Sequence, residues 1–254
     1  MSKVYVITSG KGGVGKTTSA INLAAALNLF KEDVIIVDTN LTTPNIGLHL
    51  GAPIVPITLN HVLDGKADIS DAIYEHHSGF KIVPASLSIS EIKKINHKNL
   101  GNITRELKKL TGHIILDSSA GLGEETKSSI SAADEVIIIT NPEMPAVTDA
   151  LKAIKLSEQL NKPVKGFVLT KHKNNKTEMS LPNICEMLEI PHLGNVPDDK
   201  NIQEALYLKD AIIHTHPKSR ASRAYKEIAA RLLGEEYFKN YQEKQKSFWK
   251  KIFG

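Results

Sequence analysis

Gly10, Gly12, Gly13 and Gly15 surround two lysines, Lys11 and Lys16, and run directly into Thr17 and Thr18. Closely spaced glycines free a backbone to turn its N–H groups inward without Cβ clashes. A lysine and a hydroxyl at the end of such a loop add a point charge and a hard oxygen ligand. Together these groups suit the binding of a phosphate chain with a divalent cation. Gly10-Lys11-Gly12-Gly13-Val14-Gly15-Lys16-Thr17 matches the phosphate-loop pattern G-x-x-x-x-G-K-[ST]. In that pattern Lys16 reaches the β- and γ-phosphates and Thr17 ligates Mg²⁺ through its hydroxyl. Asp117 follows the aliphatic run Ile114-Ile115-Leu116, where a strand-end carboxylate would hold a magnesium-bound water.

Loops of this kind work only between a strand and a helix. Val4-Tyr5-Val6-Ile7 reads as the strand before the loop, and Thr17 to Leu29 reads as the helix after it. Further strands are expected at Val34–Val37, Lys81–Val83, His113–Leu116, Val136–Ile139, Phe167–Leu169 and His192–Leu193, with helical stretches between most of them. Short, continuously apolar strands alternating with helices predict an α/β fold of the P-loop NTPase type. Its sheet is mainly parallel, with helices on both faces. Ligands in such folds sit at the carboxyl ends of the strands. No repeat or low-complexity linker divides the chain. Residues 1–233 therefore read as one domain, and residues 234–254 as an amphipathic tail.

The net charge is +4, with 32 basic and 28 acidic side chains. Lys244, Lys246, Lys250 and Lys251 lie in the acid-free C-terminal stretch. Without them the body is neutral, which argues against a broadly basic nucleic-acid surface. One cysteine, Cys185, supports neither an internal disulfide nor a thiolate cluster. With no signal-peptide core and no long apolar run, the chain is expected in a reducing cytoplasm.

The stretch Lys11–Thr18 resembles the deviant Walker A motif of the MinD/ParA family of ATPases, and the likeness continues along nearly the whole chain. Val37-Asp38-Thr39-Asn40-Leu41-Thr42-Thr43-Pro44-Asn45 is similar to that family's first switch, and Ile115 to Leu122 to its Walker B and second switch. Thr140-Asn141-Pro142-Glu143 is similar to the segment that follows the family's next strand, and Val196-Pro197-Asp198-Asp199 to a late loop near the base. The resemblance implies ATP and Mg²⁺ as cofactors. It makes Lys11 a signature lysine reaching the partner subunit's ATP in a homodimer, and places Asp38 near magnesium, through water, and near the attacking water. It implies nucleotide contacts from Gly10 through Thr18 and from Glu143, Thr170, Pro197 and Asp198.

Two departures from the family pattern bear on activity. Asn40 stands where the family usually has an aspartate that helps orient the lytic water. Asparagine keeps an acceptor oxygen without the charge, so slow rather than absent hydrolysis is expected. Ser119 replaces a common proline. Thr170-Lys171-His172-Lys173 lacks the acid with which T-K-x-D motifs read guanine, which favours adenine. Lys171 to Lys176 is otherwise expected to be a solvated loop.

On a helical projection, Tyr237, Phe238, Tyr241, Phe248, Trp249, Ile252 and Phe253 share one arc about 160° wide, with lysines opposite. Six of the 13 aromatic residues lie in this tail, too strong a bias for an ordinary solvated end. Phe248, Trp249, Lys250, Lys251, Ile252 and Phe253 fit an interfacial helix on an anionic membrane and resemble the family's membrane-targeting tail. Tyr237 and Phe238 are candidates for docking on the body instead. A short helix is marginal in water, so the outer tail is expected to order on lipid.

The expected function is an ATPase that dimerises with ATP and binds the inner face of the cell membrane. It would position the cell-division machinery, release on hydrolysis to ADP and phosphate, and answer to a regulatory protein. Flagellum- or pilus-placement ATPases of the same family are the near alternative. ParA-type DNA partitioning is the distant one, disfavoured by the neutral body. His76-His77 and His214-Thr215-His216 lie in polar stretches expected to be exposed. No Cys or carboxylate joins them at metal-ligand spacing in the sequence, and no metal site is expected there.

Overall fold

Alternation along the central strands divides their side chains between two layers. Val4 and Val6 enter one apolar cluster while Tyr5 and Ile7 enter the other. Further along, Val136 and Ile138 separate from Ile137 and Ile139 in the same way. Every one of these is buried, so these strands have no solvent face. A strand buried on both sides needs helices on both sides, and the continuously apolar runs encode that demand. Each fully buried Ile or Val contributes roughly 1.5–3 kcal/mol.

The computed structural model describes residues 2–88, 91 and 99–253, with side chains for all of these except 244 and 246–253. Among the described residues, eight strands form one sheet: β1 (Lys3–Thr8), β2 (Val34–Asp38), β3 (Tyr74–Glu75), β4 (Lys81–Val83), β5 (His113–Asp117), β6 (Glu135–Thr140), β7 (Val164–His172) and β8 (His192–Pro197). Their order is β3-β4-β2-β5-β1-β6-β7-β8. All neighbours run parallel except β3 and β4. The seven expected strands are present. The two-residue β3 was not expected, because so short a strand carries no readable alternation. β7 and β8 outrun their apolar cores, through Lys171 and His172 in one and Gly194 to Pro197 in the other.

One helical layer holds the phosphate-loop helix (Lys16–Leu29) and the helix Arg220–Leu232, joined through Leu23, Leu27, Tyr225 and Ile228. The opposite layer holds the helices Leu100–Leu107, Glu124–Ala132, Met144–Gln159 and Leu181–Leu188. A helix also spans Glu235–Phe253. Its first turns dock as the aromatic residues suggest. Phe238 is buried beneath Arg231, whose guanidinium lies 3.9 Å from the ring centroid. Tyr237 and Tyr241 each pack 5.4 Å from Phe30. This docking supplies the helix nucleus that an isolated segment lacks in water. The side chains of Phe248, Trp249, Lys250, Lys251, Ile252 and Phe253 lie outside the described residues. Among the described residues no helix is long and apolar enough to cross a membrane.

Tyr225 is the packing link to the phosphate loop. It is 1% exposed, and its hydroxyl lies 3.2 Å from Ser19 Oγ on the phosphate-loop helix. Tyr225→Ala is expected to destabilise the protein by about 3–5 kcal/mol through an unfilled cavity, and Tyr225→Phe by about 1 kcal/mol through the lost hydrogen bond. Urea unfolding midpoints of the two variants measure the difference; equal midpoints would place the packing elsewhere.

Candidate functional site

The carboxyl ends of β1, β2, β5 and β6 deliver the expected residues to one edge of the sheet. Asp117 sits in register with Ile7 on one side and with Asp38 on the other. The phosphate loop leaves β1 and enters its helix through Gly15 at φ +96°, a conformation that suits glycine. Gly10 is required for a different reason: a Cβ there would lie 2.1 Å from the Asp149 carbonyl oxygen. The loop is therefore pressed against the helix Met144–Gln159. No side chain caps the phosphate-loop helix, and no acid lies in its first turn. Its positive end and free N–H groups face an open cleft, as an anion site requires.

That cleft has a volume of about 490 Å³ and is lined by Gly12, Gly13, Gly15, Lys16, Thr17 and Thr18 from the loop, with Asn40, Thr43, Asn45 and Lys171 opposite. Lys16 is 9% exposed. Burial lowers its pKa, and the charge of Asp117 opposes that shift. Asp117 is fully buried, and neither of its oxygens has a hydrogen-bond partner of normal geometry. Burial raises its pKa against the pull of the Thr17 hydroxyl and of Lys16. Two buried carboxylate oxygens without partners, beside a threonine hydroxyl, fit a hydrated Mg²⁺, which prefers hard oxygen ligands and retains waters. Val14 is buried under the loop.

Asp38 is engaged differently. Its Oδ2 accepts from the backbone N–H groups of Asn45 at 2.8 Å and Ile46 at 2.9 Å, and its Oδ1 from that of Asn40 at 3.2 Å. It therefore holds the loop that follows β2. Burial first, then the charge of Asp117, raises its pKa. Asn40 is 8% exposed and turns into the same loop. Its Nδ2 donates to the Thr43 carbonyl, and its Oδ1 accepts from the Thr43 hydroxyl at 3.0 Å. An aspartate could make only the second of these bonds.

Of the expected base contacts, Glu143 and Asp198 line a neighbouring cleft of about 470 Å³, with Asn141, Pro142 and Lys171. Lys171 is common to both clefts, so they meet at its side chain. Pro197 lines a third depression, beside Arg220 and Arg223. Thr170 lies beneath the loop and lines neither of the two joined clefts. Its hydroxyl is 2.6 Å from the Val14 carbonyl, 3.1 Å from that of Thr140 and 2.8 Å from Asn141 Oδ1. One hydroxyl proton serves one acceptor at a time, so Thr170 braces the loop from below. Lys11 does not line the 490 Å³ cleft. It is half-buried, and its Nζ lies 3.2 Å from Glu143 Oε2.

Lys171 was expected in a solvated loop. Instead β7 carries it to the phosphate loop, where its Nζ donates to the Gly13 carbonyl at 2.7 Å. The Thr-Lys pair after an apolar strand was its only sequence signal. Asn45 and His49 also line the cleft, brought there by the short helix Ile46–His49 that Asp38 holds in place.

Residues 5–210 match the model of the CobQ/CobB/MinD/ParA nucleotide-binding domain family. An uncharacterised ATP-binding protein of Methanocaldococcus jannaschii is 37% identical over 252 residues, covering 99% of this chain and 96% of that one. The septum site-determining protein MinD of Pyrococcus horikoshii, solved with Mg-ADP, superposes with a TM-score of 0.88 at 30% identity, over 91% of this chain and 96% of that one. MinD of Aquifex aeolicus, solved in a MinC:MinD complex, gives a TM-score of 0.84 at 27% identity, covering 92% and 96%. On its fold, its phosphate loop and these matches, the chain belongs to the MinD/ParA family of P-loop ATPases.

Proposed function

We propose that this chain is an ATP-driven switch of the MinD type, which dimerises across nucleotide and grips an anionic membrane through its tail until hydrolysis to ADP and phosphate releases it. Its cargo in this reading is the cell-division machinery, and a partner protein sets the pace of hydrolysis. The observation that carries the reading is the division of labour between the two lysines of the loop. Lys16 is buried in the cleft beside Asp117, while Lys11 stands outside it in an exposed pair with Glu143. Exposed ion pairs are worth about 0–1 kcal/mol. Lys11 can therefore exchange Glu143 for a phosphate presented by a second subunit at little cost.

Within one subunit the residues divide the work. The N–H groups of Gly12 to Thr17 cradle the phosphates, and Lys16 neutralises charge on the transferred group. Thr17 would hold Mg²⁺ directly, with Asp117 and Asp38 acting through water, and the ion would neutralise charge on the phosphate oxygens. Glu143 and Asp198 bound the cleft proposed for adenine. Asn40 is tied to Thr43 through both its amide N–H and its Oδ1, so its one remaining lone pair is fixed in direction, a reason for slow turnover in addition to its missing charge. Pairing two weakly binding tails raises their effective concentration and strengthens attachment by ~10²-fold or more.

Three measurements test this. Lys16→Ala is expected to lower ATP turnover by about 10²–10³-fold, the usual loss for one preorganised charge-stabilising group; near-normal turnover would remove the phosphate loop from the chemistry. Asn40→Asp is expected to raise turnover several-fold, and an unchanged or lower rate counts against the slow-switch reading. Sedimentation with vesicles containing anionic lipid is expected to require ATP and to release on hydrolysis. Equal pelleting without nucleotide would reject the coupling, and ATP-dependent retention on DNA that falls with salt would favour partitioning instead.

A further inference from the structure

The short hairpin at the sheet edge brings together three side chains unrelated to the nucleotide cleft. His76 and His77 follow β3, and Asp210 comes from the loop before the helix Ile212–Thr215. The sequence suggested two exposed histidines with no acid near them. The structure instead buries His76, at 5% exposure, between Phe80 at 4.9 Å and His77 at 4.1 Å between ring centroids. His77 Nε2 lies 3.3 Å from Asp210 Oδ2. Each of the three residues offers one ligand atom, and these atoms all lie within 4.8 Å of one another.

His76 Nε2 is buried and makes no hydrogen bond of normal geometry. Its other nitrogen, Nδ1, contacts the Ser78 hydroxyl at 2.5 Å and accepts from the Ser78 N–H at 3.4 Å. Ser78 Oγ in turn donates to Asp210 Oδ1 at 3.4 Å. Giving up that long N–H bond for an Nδ1–H that donates to Ser78 Oγ, which in turn donates to Asp210, frees the Nε2 lone pair. The opposite tautomer would turn Nε2–H toward the Lys209 carbonyl, which also faces the ring. An ordinary core histidine would settle for that carbonyl. What favours a ligand over an ordinary core histidine is that His77 and the Asp210 carboxylate each bring a ligand atom within 4.8 Å of a His76 ring nitrogen. Asp210 is itself held in place, with Oδ1 accepting from Ala211 N–H at 2.7 Å and from His214 Nδ1 at 2.9 Å. Its Oδ2 is left to face His77. Outer contacts of this kind orient the ligands in metal sites.

The geometry points to a site for a zinc-class divalent cation, held by His76 Nε2, His77 Nε2 and Asp210 Oδ2. Two imidazoles and one carboxylate suit zinc or its transition-metal neighbours, whereas Mg²⁺ and Ca²⁺ favour all-oxygen sets. Bonds of about 2.0–2.2 Å in a tetrahedron place ligand atoms about 3.3–3.5 Å apart. The His77–Asp210 pair already meets that spacing. His77, with 69% of its side chain exposed, is free to rotate the remaining distance toward His76. Water completes the fourth position.

The ion would clamp the β3–β4 hairpin to the Lys209–Ala211 loop. That loop reaches the nucleotide-binding helix through Ile212 N–H, which donates to Asn22 Oδ1 at 2.9 Å. The clamp therefore braces the phosphate-loop helix from behind. Full-length, tag-free protein without nucleotide, titrated with ZnCl₂, is expected to bind one ion per chain. Its melting temperature should rise by about 5–10 °C at a hundredfold excess over the dissociation constant, with MgCl₂ giving no such rise. His77→Ala, a change at an exposed position, is expected to leave the metal-free melting temperature unchanged and to weaken zinc at least about tenfold. Wild-type protein that does not bind zinc, or His77→Ala protein that binds and melts like wild type, overturns the site. An equal shift with MgCl₂ overturns the zinc-class assignment.

Discussion

Asp117 is a carboxylate without solvent and without a well-formed hydrogen bond, in direct register with a second buried acid, Asp38. An ionised carboxylate in that setting is costly unless a cation compensates it. The parallel sheet makes the arrangement unavoidable, because the strand ends of β2 and β5 finish side by side. Lys16 supplies part of the compensation from the phosphate loop. What remains is an electrostatic demand for a further cation at that edge, and the loop above it carries N–H groups for the anion that would bring one. The cleft is thus set up for a metal–phosphate pair rather than for either partner alone.

The loop that follows β2 is held by side chains rather than by regular secondary structure. Asp38 takes three backbone N–H groups, Asn40 binds Thr43 twice, and Thr42 reaches Glu125 on the helix Glu124–Ala132. Thr39 accepts from Ser129 on that same helix and donates to the Asp117 carbonyl. Each bond is individually worth about 0.5–1.5 kcal/mol. Such a loop can rearrange when a phosphate competes for the same groups without disturbing the core beneath it.

The phosphate loop is braced from below by Thr170, from the side by the backbone of Asp149 against Gly10, and at its crest by Lys171. The tail helix begins against this same half of the molecule, with Tyr237 and Tyr241 on Phe30, just past the end of the phosphate-loop helix. The packing therefore places the start of the tail next to the nucleotide-binding helix.

By itself the sequence determined the phosphate loop, the strand-end acids, the seven longer strands and the two-sided burial of the sheet. All of these are local: glycine spacing, unbroken apolar runs and a carboxylate at a run's end are legible without knowing what lies across from them. Residues joined across the chain were decided only by the tertiary structure. The brace that Thr170 makes under Val14 exists only once β7 is in place. Lys171 reads as part of a loop until the same strand carries it, still exposed, to Gly13. Asn40 reads as a weakened aspartate until Thr43 turns out to use its amide as a donor. His76 and Asp210 belong to distant segments that meet only because β4 pairs with β2 and the loop after Tyr207 folds back onto the phosphate-loop helix. Periodicity records which face a residue presents, whereas its partner is fixed by sheet order and loop closure, which no short stretch of sequence contains.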